Sequence, residues 1–114
     1  MKNFSLTMLM GAVALTLATL SPVHAAVDAE AAQALAKKND CFKCHSVDKT
    51  KKGPSYKKIA AKYKGKADGQ EKAIKNMTTG GKVKLEDGTE EDHKIIETKD
   101  TKELKNLADW ILAQ

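Results

Sequence analysis

The chain has 114 residues, with 20 lysines against 15 acids, no arginine, a formal net charge of +5, and only 4% aromatic residues. That length allows one small domain. It excludes a nucleic-acid reader, because phosphate forks favour arginine and base stacking needs aromatics.

Residues 1–25 read as a leader rather than as part of a fold. Lys2 gives a short positive start, residues 6–20 carry no charge, and Val23-His24-Ala25 places small residues at a cleavage site. The run is shorter than the roughly 20 apolar residues that a membrane span requires, and threonines interrupt it. The expectation is export to the periplasm, cleavage after Ala25, and a mature domain over residues 26–114 with no membrane insertion. Without Lys2, 19 lysines face the 15 acids, and they are unevenly spread. Residues 37–66 hold 11 lysines against Asp40 and Asp48, whereas residues 86–109 hold nine acids against four lysines. Such asymmetry is either two solvated faces or a means of orienting a partner.

Asp28 is placed to cap a first helix through EAAQALAKKN, with Ala31, Ala34 and Leu35 on one side and Lys37 and Lys38 at the C-terminal end. That helix delivers the chain into CFKCH, residues 41–45, which contains both cysteines and one of three histidines. Residues 46–52 form a polar loop punctuated by Gly53-Pro54. Tyr56, Ile59, Ala60 and Tyr63 then follow helical spacing. Asp68 is a candidate cap for a third helix bearing Ala73, Ile74 and Met77 and ended by Gly80-Gly81. Residues 82–99 read as a long loop with a hairpin turned at Asp87-Gly88, Val83 and Leu85 on one arm and Ile95-Ile96 on the other. A loop of that length in a small domain is usually functional. Asp100 and Glu103 resemble a capping box opening a last helix whose stripe is Leu104, Leu107, Ala108, Ile111 and Leu112. The fold class expected is all-α, about four short helices and one long loop.

Cys-x-x-Cys-His is the attachment signature of c-type haem: two thiols add across the vinyl groups, and the adjoining imidazole sits under the ring as an iron ligand. Cys41 and Cys44 would be the attachment points and His45 the ligand. Three rivals compete. A thioredoxin-type pair needs βαβ strands, which this pattern lacks. A zinc site could use Cys41, Cys44, His45 and His93, although adjacent Cys44 and His45 diverge from neighbouring backbone positions. A Cys41–Cys44 disulfide would close a very small, strained loop. A single covalent haem c also answers a physical need, because four mature aromatics, Phe42, Tyr56, Tyr63 and Trp110, leave a chain this small short of core.

The blocks ALAKKNDCFKCH, KKGPSYKKIAAKY and LKNLADWILAQ, in this order and at compatible spacings, resemble small bacterial class I cytochromes c of the c-551 and c-552 group. The resemblance covers nearly the whole mature chain. It implies the class I cytochrome c fold around one haem, with Pro54 supplying a backbone carbonyl to Nδ1 of His45, and with Trp110 in a helix crossing the N-terminal one. One feature departs from that group. There the sixth iron ligand is a methionine in a proline-flanked loop before the last helix, and this loop contains neither residue type. His93, 17 residues before Trp110, stands close to the missing methionine's place and is the preferred second metal ligand. Met77 is the competing ligand; its spacing from Ile74 suits a core residue that lines the haem pocket. A lysine or an open site are the remaining options, and Ile95 and Ile96 would either cover the haem face or join the core.

The expected function is a monomeric one-electron carrier, not an enzyme, with a low-spin bis-histidine haem of lowered potential and with cytochromes or a reductase as transient partners. The alternative is a gas-binding or sensing haem protein in which His93 leaves the iron. No acid–base constellation supports a peroxidase.

Overall fold

The computed structural model describes residues 26–114; the expected leader over 1–25 lies outside the described residues. Helix α1, Ala29–Lys38, begins where the Asp28 carboxylate accepts the Ala31 N–H at 2.9 Å, and Lys37 and Lys38 occupy its last turn. Its buried face is Ala32 and Ala36 with Leu35 half-buried against the core, whereas the expected Ala31 and Ala34 are exposed. Alanine stands all around this helix, so the pattern alone could not select a face; packing against the last helix does. At that crossing Ala36 and Ala108 are both fully buried, and small residues let two helices approach closely.

After a single 3₁₀ turn at Cys41–Lys43, helix α2, Tyr56–Tyr63, is capped by Ser55, whose hydroxyl accepts the Lys58 N–H at 3.1 Å. It buries Tyr56, Ala60 and Tyr63 and half-buries Ile59, as the spacing predicts. Helix α3, Gly69–Thr79, follows Asp68, but this carboxylate makes no capping bond and pairs instead with Lys72 Nζ at 2.9 Å. Gly80 ends the helix with φ +68° and ψ −142°, a conformation essentially confined to glycine.

The long loop contains the expected hairpin with a different second arm. Strand β1, Lys82–Lys84, pairs antiparallel with β2, Glu90–Asp92, in the register Lys82 to Asp92 and Lys84 to Glu90. The turn over residues 85–89 closes with Leu85 N–H donating to Thr89 O at 2.8 Å. Opposite charges across the strands, with Lys82 Nζ 2.9 Å from Asp92, favour this register over an apolar return. Ile95 and Ile96 therefore fall beyond the hairpin and separate: Ile95 is 46% exposed, whereas Ile96 enters the core at 4%.

Helix α4, Thr101–Leu112, is the spine. Leu104, Leu107, Ala108, Trp110 and Ile111 are buried along it, with Leu112 half-buried, and it packs against α1, α2 and α3. Asp100 accepts the Lys102 and Glu103 N–H groups, but the Glu103 carboxylate does not return to the Asp100 amide. Thr98 stands between them, donating its hydroxyl to Glu103 at 2.9 Å and accepting the Asp100 N–H at 3.2 Å. The start of α1 is tied to α4 by a reciprocal pair: Asn106 accepts the Asp28 N–H and donates to Asp28 O, both at 2.8 Å. The fold class is four helices around one core with one small hairpin, and no helix among the described residues is long and apolar enough to cross a membrane.

Candidate functional site

The segment between α1 and α2 is folded onto itself by its own backbone. His45 N–H donates to Cys41 O at 2.9 Å, Gly53 N–H to Cys44 O at 2.8 Å, and Tyr56 N–H to Ser46 O at 2.8 Å. Lys51 Nζ adds a 2.6 Å bond to Phe42 O. These bonds bring Pro54 back to the histidine nine residues earlier, where His45 Nδ1–H donates to Pro54 O at 2.6 Å. With its proton committed there, the imidazole presents the Nε2 lone pair outward, the form a metal ligand needs.

Packing holds the same ring in place. Tyr56 stacks on His45 with centroids 5.3 Å apart and planes 21° from parallel. Tyr56 also meets Trp110 edge-on at 5.4 Å and Phe42 at 6.0 Å, so α2 and α4 brace the ring through one aromatic cluster. Gly53 passes so close that a Cβ there would lie 2.9 Å from His45 Cε1 and 3.2 Å from Nδ1. Burial lowers the His45 pKa against the opposing pull of the Pro54 carbonyl, and the nearby His93 lowers it further. The net effect favours the neutral ring. Burial likewise raises the Cys41 thiol, and Asp40 and Cys44 add to the effect; the Tyr56 phenol is pushed above its usual range, chiefly by burial.

Facing this side is the chain that leaves β2. His93 is half-buried, its ring centroid 6.1 Å from that of His45 and its plane tilted by 57°. Its Nδ1 is buried and has no hydrogen-bond partner, an orphaned polar atom that calls for a further group at this place. Cys41 and Cys44, half-buried in the turn that carries His45, are not joined to each other. Among the described residues, no three His, Cys, Asp or Glu side chains converge on a point that would hold a metal ion, which disfavours the zinc arrangement. The thiols, the neutral imidazole and the orphaned nitrogen fit a planar iron macrocycle attached at its edge and approached on its faces. Met77 is buried in the core cluster with Ala73 and Ile96, and its carbonyl accepts the Ile96 N–H at 2.8 Å.

The structure thus gathers Cys41, Cys44, His45, Pro54 and His93 and leaves the Met77 side chain in the core. Gly53, Tyr56 and the Gly80-Gly81 pair are the residues that sequence reasoning read only as turn, helix face and helix stop. Their signal was present, as a glycine next to the proline and a doubled glycine before the ligand loop, but their contacts are with residues distant in sequence.

The family model described as cytochrome c matches residues 29–114. Cytochrome c-552 of Nitrosomonas europaea is 37% identical over 89 residues, covering 74% of this chain and 79% of that protein. A shorter match, 45% over 47 residues, joins 41% of this chain to 50% of cytochrome c-551 of Allochromatium vinosum, so that alignment spans half the relative's length. The crystal structure of the class 1 cytochrome MtoD from Sideroxydans lithotrophicus ES-1 superposes with a TM-score of 0.74 at 57% identity, covering 77% of this chain and 97% of that one.

Proposed function

Because the chain belongs to the cytochrome c family, as a class I monohaem member whose cofactor is covalently attached haem c, we propose that it is a periplasmic one-electron carrier with histidine on both faces of the iron. Cys41 and Cys44 would carry the thioether attachments, and His45 and His93 would supply nitrogen ligands to the iron. The observation that carries the reading is the spacing of the two rings. Two imidazoles that held one metal ion between them through bonds of about 2.0 Å would have ring centroids roughly 6.3 Å apart. The centroids of His45 and His93 are 6.1 Å apart.

Haem iron supplies the one-electron couple, and the chain's residues set its conditions. Pro54 O fixes the His45 tautomer, and Tyr56 with Gly53 fixes the plane and depth of its ring. Two nitrogen ligands replace the nitrogen–thioether pair that favours ferrous iron, so the couple lies below that of histidine–methionine relatives. Met77, buried in the core, lines the pocket behind the cofactor. The reading includes export by residues 1–25, a monomer, no catalytic group, and no insertion of the mature chain into membrane. Transient redox partners, cytochromes or a reductase, are steered by the lysine-rich segment over residues 37–66.

The test is the near-infrared and paramagnetic-resonance spectrum of the ferric protein beside that of His93→Met. Two nitrogen ligands are expected in the unmodified protein, and the substitution should bring a thioether band and raise the potential. A sulfur ligand in the unmodified protein, or a potential equal to that of histidine–methionine relatives, refutes the assignment.

A further inference from the structure

His45 and His93 are held by different means. The first has its Nδ1 proton bound to Pro54 O at 2.6 Å, whereas among the described residues neither ring nitrogen of the second is hydrogen-bonded to the chain. Nothing attached to the His93 ring therefore aims it; its direction must come from its own backbone. That backbone is tied at two points, one at Gly81 just beyond α3, where the bond continues the hairpin, and one in the last turn of α3. His93 N–H donates to Gly81 O at 2.8 Å, and three residues later Ile96 N–H donates to Met77 O at 2.8 Å. Between the ties the chain lies directly on Gly80, where a Cβ would come within 3.0 Å of Ile95 Cγ2 and 3.4 Å of His93 O.

We infer that the last turn of α3 and the two glycines after it, through Met77 O, Gly80 and Gly81 O, form the clasp that positions His93, and that opening it is the step by which the histidine would leave the iron. This rests on the reading of His93 as a ligand. Gly80 is a positioning residue. Its positive φ directs the chain out of α3 toward the ligand loop, and its missing side chain is the space in which Ile95 and the His93 carbonyl lie. A methyl group there presses on the segment that carries the ligand. The apparent affinity for an outside ligand scales with the fraction of molecules in which His93 is away, so a weakened clasp shows directly in binding.

The experiment uses the holoprotein and carbon monoxide. Gly80→Ala should give partial high-spin character in the ferrous spectrum and carbon monoxide binding faster by about tenfold or more, in proportion to the open fraction. Gly65→Ala is the control for backbone strain, because Gly65 also has positive φ, +74°, but a Cβ there meets nothing within 4 Å. It should lower thermal stability while leaving spectrum and binding rate unchanged. Adding Ile95→Ala to Gly80→Ala removes the crowded Cγ2 and should restore part of the low-spin spectrum. A Gly80→Ala protein as low-spin and as slow as the Gly65→Ala control overturns the clasp. If Gly80→Ala does not fold, hydrogen exchange on the unmodified protein decides. The His93 and Ile96 amides should be protected in the free ferrous protein and lose protection in its carbon monoxide complex; protection retained in both overturns the clasp. A sulfur ligand, or rapid carbon monoxide binding by the unmodified protein, would instead defeat the bis-histidine reading itself.

Discussion

The two sides of the site are built on opposite plans. On the His45 side, residues 41–57 are tied by backbone bonds across short sequence distances, and the imidazole is fixed by the Pro54 carbonyl, the Tyr56 ring and the Gly53 backbone. On the His93 side, a hairpin of two three-residue strands carries mostly exposed charged residues, and the segment that follows is joined by one backbone bond to α3, at Met77 O, and by one to Gly81 O just beyond it. Local opening follows the number of buried contacts and protected hydrogen bonds, so the His93 side should be the one that moves. Under the proposed bis-histidine reading, the contrast teaches a division of labour: one face would anchor the cofactor permanently, and the other would be a closure that can be tuned.

Breaking the anchored side should have the largest effect. Replacing Cys41 and Cys44 together by alanine should abolish covalent haem, seen as complete loss of colour from the chain after denaturation in acid acetone. With only a small core left to it, that protein should also lose most of its helical circular dichroism. Next, His93→Ala should leave haem attached but open one face, with high-spin bands and fast carbon monoxide binding; an unchanged low-spin spectrum would mean that another residue reaches the iron. Leu107→Ala, at the fully buried centre of α4, should cost about 2–5 kcal/mol in denaturant unfolding of the holoprotein without moving the iron spectrum, since it supports both sides equally. Gly53→Ala sharpens the comparison further. A Cβ 2.9 Å from His45 Cε1 overpacks a rigid site, costing about 1–3 kcal/mol and shifting the ferric spectrum, whereas a flexible site would absorb it silently. The smallest effect is expected for Lys82→Ala on the hairpin. Its pair with Asp92 is exposed, so the loss should be below about 1 kcal/mol and should vanish at high salt.

Legibility followed the same division. CFKCH is a contiguous pattern, and the helix starts at Asp28 and Asp100 are local chemistry, so residue type and order suffice to recognise each of them. The burial of Ala32 and Ala36 could not be recognised that way, because alanine surrounds α1 and only the approach of α4 selects a face. Asp68 shows how a local signal loses to a neighbour: a carboxylate at a helix start can cap, but Lys72 one turn on draws it away. The hairpin shows the reverse error. Ile95-Ile96 offered the apolar return, yet cross-strand charge pairs set the register and left one isoleucine exposed and the other in the core.

By itself, the sequence determined the helices, the attachment motif and its first histidine, and it made His93 and Met77 the leading candidates for a second ligand beside a lysine or an open site, because each rests on residue type and short-range spacing. Tertiary structure alone decided that Met77 turns into the core, that His93 lies 6.1 Å from His45, and that Gly53 and Gly80 must lack side chains. The physical reason is that these are distances between segments 8 to 48 residues apart, set by how α2, α3 and α4 pack, and no local pattern encodes them.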